Sequence, residues 1–256
     1  MGAVTGLVAA TSVAAAPRPA PCPALRLEDR VAGISQRGEI SLASGRVVLL
    51  SGVRLAEGAL DAPRALALLA AAVDRPVTGT ITAGDPDRWG RHLADLRVDA
   101  QDRDLAAELV SQGLARVDAG MTDRLCRTDL LRTEKEARAA RRGLWDRPVE
   151  RPLPAHDTAP LLARTGRFTL VEGRVRTAGE RRRQTYLNFG RRWNEDFTVI
   201  IPAAIWAQMK AAGFDSGTIQ GRRIRIRGII QNWRGPAIEV TAPEMVEILG
   251  SRRLRP

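Results

Sequence analysis

The sequence predicts a mainly β chain with helices, an α+β fold made of two small β-barrel-like modules. Three observations carry that expectation. Short Val/Ile/Leu/Thr runs broken by glycine turns recur in both halves of the 256-residue chain. Each group of runs is interrupted by short segments with helical spacing. Between the groups, residues 146–165 hold four prolines, which reads as a linker rather than a packed element. The length suits one large domain or two small ones.

Residues 1–16 are apolar and small, and Val13-Ala14-Ala15 precedes a proline-rich break. This is the pattern of a secretory signal. No Lys or Arg precedes Arg18, so a misassigned start or a flexible apolar tail stays open. The run is too short to span a bilayer. The first module is expected over 24–147. Residues 28–60 read as a β meander and 62–73 as a helix with Pro63 in its first turn. Residues 77–83 and 92–98 read as strands, separated by an Asp85-Pro86-Asp87 turn. Helices are expected over 104–117 and 128–142, the second capped by Thr128 or Asp129 and ended by Gly143. The linker is placed at 148–165 and the second module at 166–250. There, strands are expected at 168–175, 184–189, 196–201, 222–230 and 237–241, with a helix at 202–212. Five strands with a helix after the third suggest a Greek-key barrel of OB type.

The charge is regional. Residues 1–150 carry 21 Lys+Arg against 20 Asp+Glu, whereas residues 151–256 carry 19 against 9. Of the 40 cations only Lys135 and Lys210 are lysines. Arginine offers a planar fork that matches phosphate and stacks on bases. No run approaches the ~20 apolar residues of a membrane span. Two Cys and two His cannot build a Cys/His metal cluster. In an exported chain Cys22 and Cys126 are expected to pair, tying the N-terminal arm to the first module. Two inert thiols are the alternative.

Three ordered segments together resemble the staphylococcal nuclease family. Gly45-Arg46-Val47-Val48-Leu49-Leu50-Ser51-Gly52-Val53-Arg54-Leu55-Ala56-Glu57 parallels G-x-x-V-R-L-x-G-I-D-A-P-E. Asp87-Arg88-Trp89-Gly90-Arg91-His92-Leu93-Ala94 is similar to D-x-Y-G-R-x-L-A. Residues 108–117 and 134–145 match LVxxGLAxV and ExxARxxxxGLW. The resemblance implies an OB-like barrel that cleaves phosphodiesters with Ca²⁺ held by carboxylates, a glutamate assisting water and two arginines on the phosphate. By position, the glutamate falls on Glu57 and the second arginine on Arg91, the candidate catalytic pair. The first arginine falls on Leu49. One metal aspartate falls on Arg54, and the other near Gly38, one residue from Glu39. A shifted alignment offers Arg54 as the arginine and Asp61 as the aspartate, but puts Arg64 at the glutamate. Neither yields a complete site, so no metal ligand is assigned and Ca²⁺ enters only if the chemistry survives.

In the second module Arg223, Arg225 and Arg227 alternate with Ile224 and Ile226. Period two puts the three arginines on one strand face. Arg181-Arg182-Arg183 and Arg191-Arg192 fall in loops beside Tyr186, Trp193 and, across the barrel, Trp233. Cations with interleaved aromatics are what an OB surface uses for single-stranded nucleic acid. Other polyanions suit the same charge. The leading expectation is a periplasmic or secreted protein with an impaired nuclease-like module and a basic module that binds nucleic acid or another polyanion. The rivals are an active Ca²⁺-dependent nuclease with a rearranged site around Glu57 and Arg91, and a non-enzymatic envelope protein that binds other proteins.

Overall fold

The structure is a computed structural model that describes residues 22–82, 85–99, 103–120, 122–192 and 195–250. The expected signal at 1–16 and the candidate Trp193 lie outside the described residues. The first module contains β1 (Ala24–Ile34), β2 (Ile40–Leu42), β3 (Val47–Leu50), β4 (Val53–Leu55), α1 (Ala62–Ala70), β5 (Pro76–Thr82), β6 (Arg91–Val98), β7 (Arg103–Asp104), α2 (Leu105–Ser111), β8 (Ala115–Val117) and α3 (Asp129–Ala139). β1 pairs antiparallel with β2 and β5, β2 with β3, and β5 with β6. β3 then closes onto β6 in parallel, Val47 opposite Arg91 through Leu50 opposite Ala94. The circuit is a closed five-stranded barrel.

Alternation fills it. Leu27 and Val31 of β1, Val77 and Ile81 of β5, and Ala94, Leu96 and Val98 of β6 all point inward and are buried. The helix expected over 104–117 is shorter. It stops at Ser111, and residues 115–117 form β8 against β4. Gly113 causes the break. It sits at φ +67, and a Cβ there would stand 2.0 Å from the Arg142 carbonyl oxygen, so the chain turns tightly against the end of α3.

The second module contains β9 (Leu153–Pro154), α4 (Thr158–Leu162), β10 (Phe168–Arg174), β11 (Thr177–Glu180), β12 (Gln184–Asn188), β13 (Thr198–Pro202), α5 (Ala203–Ala211), α6 (Ser216–Ile219), β14 (Arg223–Asn232), β15 (Pro236–Glu239) and β16 (Val246–Leu249). β10 and β11 behave as one bent strand. β10 pairs with β14 and β11 with β12. At the bend the Val175 N–H donates to Arg222 O and the Arg176 N–H to Asn188 O. β12 continues to β13, β13 runs parallel to β15, and β15 returns to β14. This is the strand order of the first barrel, again with one parallel pair and a helix after the third strand.

The segment read as a linker is folded, which corrects that expectation. β9 pairs in parallel with β10, and α4 buries Leu161 completely. Its prolines fall where they cost little, Pro148 at the start of a 3₁₀ turn and Pro154 on an edge strand. Ala56, Ala137, Leu144 and Trp145 of the first module form one buried cluster with Phe168 and Leu170 of the second. Cys22 and Cys126 are joined by a disulfide, Cα–Cα 5.8 Å.

Candidate functional site

The first barrel opens into a cleft of about 1020 Å³ between the β3–β4 turn, α1, the 85–91 turn and the 118–126 loop. Arg91 lies at its edge. Its guanidinium donates to Asp87 at 2.8 and 2.9 Å and to Glu39 at 2.8 Å. The turn fixes this pairing, because the Asp87 carboxylate also accepts the backbone N–H groups of Trp89 and Arg91. Arg91 pulls the Asp87 pKa down to about 2 and lowers that of Glu39, while Asp87 and then Glu39 raise that of Arg91. The guanidinium also lies 4.6 Å from the centre of the Trp89 ring, with Arg88 at 3.9 Å. Glu57 lines the same cleft, exposed and with no hydrogen bond or ion pair among the described residues. The two candidate catalytic residues therefore share a cleft without touching, and Arg91 is engaged by other carboxylates.

The β6 turn with Arg91, the Gly113 turn and the α3–Trp145 corner complete the pattern. Residues 62–147 match the family model described as Staphylococcal nuclease homologue. A comparison with curated proteins returns no match. The nuclease-like domain so defined contains Arg91 and Asp87, whereas Leu49, Arg54 and Glu57 precede the matched residues.

The calcium that this family implies does not fit the residues present. In the ungapped alignment, which lies ahead of the matched residues, Arg54 falls at an expected carboxylate position. Its Nε donates to Asp118 at 2.8 Å, and its guanidinium lies 5.3 Å from the centre of the Phe168 ring of the second barrel. A fixed cation there repels a divalent ion and consumes a carboxylate. Leu49 offers no donor. Among the described residues no three His, Cys, Asp or Glu side chains come together as metal ligands. Asp61, the aspartate of the shifted alignment, is buried and paired with Arg147 and Arg64.

The arginine row on β14 is not a shared solvent face. Arg223 is exposed and donates to Glu172 at 2.9 Å. Arg225 is partly buried between Glu172, at 2.6 Å, and Glu247, at 3.2 Å. Arg227 is fully buried and reaches into the nuclease-like domain. It donates to Glu134 at 2.9 Å, to Val117 O at 3.2 Å, and to Glu247. Glu134 is itself fully buried on α3 and also accepts from the Val117 N–H at 2.9 Å and from Arg138 at 2.8 Å. Burial alone would lower the Arg227 pKa, but the Glu134 and Glu247 carboxylates outweigh it and leave the value raised. Burial likewise acts to raise Glu247, and Arg227 overrides it downward. The expectation that Arg225 and Arg227 are presented outward is corrected: period two gives the face, and that face meets α3 and β16.

Of the remaining candidates, Tyr186, Trp233 and Arg191 converge. Tyr186 on β12 and Trp233 on the β14–β15 turn stack, with centroids 5.9 Å apart and planes 8° from parallel. They border a groove of about 620 Å³ whose rim holds Arg176, Arg181 and Arg191, with Asn188 and Thr198 on its floor. Trp233 is 46 % exposed. Arg182 and Arg183 are exposed in the β11–β12 turn. Among the described residues no carboxylate lies within ion-pair distance of Arg176, Arg181, Arg182, Arg183 or Arg191. Arg192 stands outside the groove lining and pairs with Glu195 at 3.0 Å. Close approach shapes the next loop, since a Cβ on Gly190 would stand 2.0 Å from Asp196 Cγ, and Asp196 accepts the Arg192 N–H at 2.6 Å. Arg176 was not singled out from sequence. The signal was available in the continuation of strand 168–175 through 180, which sets Gly179 opposite Tyr186.

Proposed function

We propose that this chain binds single-stranded nucleic acid on the second barrel and that its nuclease-like domain does not perform calcium-dependent cleavage. The observation that carries the reading is the stack of Tyr186 on the exposed Trp233 beside Arg176, Arg181 and Arg191, which hold no carboxylate among the described residues. A ring face serves any base, and unpaired guanidinium groups serve the phosphates. The cations of the first cleft contrast with these, because Arg54 and Arg91 already hold carboxylates. We further propose export to the periplasm or the outside of the cell. The Cys22–Cys126 disulfide supports this, and no helix among the described residues is long and apolar enough to cross a membrane.

Fluorescence anisotropy with a labelled single-stranded oligonucleotide tests the reading. Trp233→Ala should weaken binding about 5- to 150-fold, the range measured for removing one base–aromatic stack. The affinity should also fall steeply with salt. Binding that is absent or insensitive to salt overturns the proposal in favour of a protein-binding role. Chelator-sensitive cleavage that disappears in Glu57→Ala or Arg91→Ala establishes the working nuclease instead.

A further inference from the structure

We infer that Gly179 is the seat of one unpaired base, whose strand lies along β11 and β12 so that its flanking phosphates meet Arg181 at one end and Arg176 and Arg191 at the other. This rests on the single-strand reading above and fixes its register. Gly179 stands within β11 opposite Tyr186, and both line the groove. Nothing inside the chain calls for glycine there. Its φ is not positive, the β11–β12 register runs without a shift, and a Cβ would meet no atom within 4 Å. Every other glycine among the described residues has a positive φ, a close neighbour or, for Gly33, a place at the β1 bulge. Glycine within a strand costs backbone entropy and forfeits packing. What it leaves here is an open notch beside the Tyr186–Trp233 stack, where a planar ring can come close to the backbone.

The charges set the direction of the strand. Arg176 and Arg181 flank β11, and their N–H groups are pinned to Asn188 O and Gln184 O at opposite ends of the β11–β12 ribbon. Five extended residues separate them by about 16 Å, with Gly179 between. The carboxylates near these ends are occupied. Glu180 holds Lys210 and Ser216, and Glu195 and Asp196 hold the guanidinium and N–H of Arg192. Across the sheet the row differs. Gly179 pairs with Tyr186, Tyr186 with Ile200 and Ile200 with Glu239. Glu239 is exposed, without a hydrogen bond or ion pair among the described residues. A strand crossing the sheet would run its phosphates onto that carboxylate, whereas one lying along β11 meets arginine at both ends.

Fluorescence anisotropy on the full chain with a labelled octathymidylate tests this. Gly179→Val should weaken binding about tenfold or more, the size of a lost base stack. The same variant should raise the urea midpoint by about 0.2–0.5 M, because a β-branched residue restricts the unfolded chain and suits a strand. Arg176→Gln and Arg181→Gln should each flatten the slope of log affinity against log salt by about 0.7, one phosphate apiece. Glu239→Gln should leave the affinity unchanged. Loss of binding in Trp233→Ala but not in Gly179→Val overturns this register and spares the single-strand reading, and no binding by the unaltered chain overturns both. Tighter binding by Glu239→Gln would show that the strand crosses the sheet instead. Should Gly179→Val lower the midpoint, the loss of binding in Gly179→Ala decides in its place.

Discussion

Replacing Arg227 by alanine removes the side chain that ion-pairs the second barrel to the buried Glu134 of α3. Arg227 and Glu134 are both fully buried, 2.9 Å apart. Deleting one partner of such a pair typically costs about 3–5 kcal/mol, because the other charge is left behind without water. Glu134 keeps Arg138 at 2.8 Å and the Val117 N–H at 2.9 Å, so the lower end, about 3 kcal/mol, is expected. With a urea m-value of about 2 kcal/mol/M this lowers the unfolding midpoint by about 1.5 M. The control is Arg223→Ala, whose side chain is 63 % exposed although it also holds a glutamate, Glu172 at 2.9 Å. An exposed pair is worth at most about 1 kcal/mol, so its midpoint should move by less than about 0.5 M. The double variant Arg227→Met with Glu134→Leu removes both charges and should recover much of the loss. Equal shifts for Arg223→Ala and Arg227→Ala, or a double variant worse than Arg227→Ala, would refute the assignment of the network as the lock between modules.

Three other outcomes are expected. Carboxyl NMR should place the Asp87 titration near pH 2, since the Arg91 guanidinium lowers it from 3.8 to about 2. The folded value lies below the unfolded one, so the turn's contribution is complete above about pH 4 and lost as the pH falls through 2; Arg91→Gln should return the midpoint towards 3.8. Gly190→Ala should weaken oligonucleotide binding with little change in melting temperature, because the new Cβ displaces Asp196 and the loop that carries Arg191; unchanged affinity would show that the loop takes no part. Reducing the Cys22–Cys126 bond, which spans 104 residues, should destabilise the protein by up to about 4.7 kcal/mol on loop entropy, read as a lower urea midpoint under reductant.

Much of the fold is legible in the sequence because alternation and helical spacing are local signals. The β5 and β6 strands and the five-strand order of the second barrel are read close to their observed limits. What local pattern cannot report is which neighbour a strand face meets. Arg223, Arg225 and Arg227 share a face by period, yet they pass from solvent to full burial within five residues because α3 packs over one end. The proline-rich segment misleads for the opposite reason. Its composition discourages regular structure, but Leu153 and Leu161 supply enough apolar contact to seat it beside β10 and β14. In the first cleft, Arg91 and Arg54 are visible in sequence, but their pairing with Glu39 and Asp118 is a long-range contact that only the folded chain reveals.

The match to the nuclease family stops at residue 147, and that limit is not a place to cut. Glu134, Leu144 and Trp145 lie inside it, but what covers them, Arg227, Phe168 and Leu170, lies beyond. An excised fragment would keep Arg138 and the Val117 N–H on Glu134 but lay bare the apolar surface at Leu144 and Trp145, and should cling to chaperones or to its own kind. The packing that protects the matched residues is therefore shared by both barrels and does not end at residue 147.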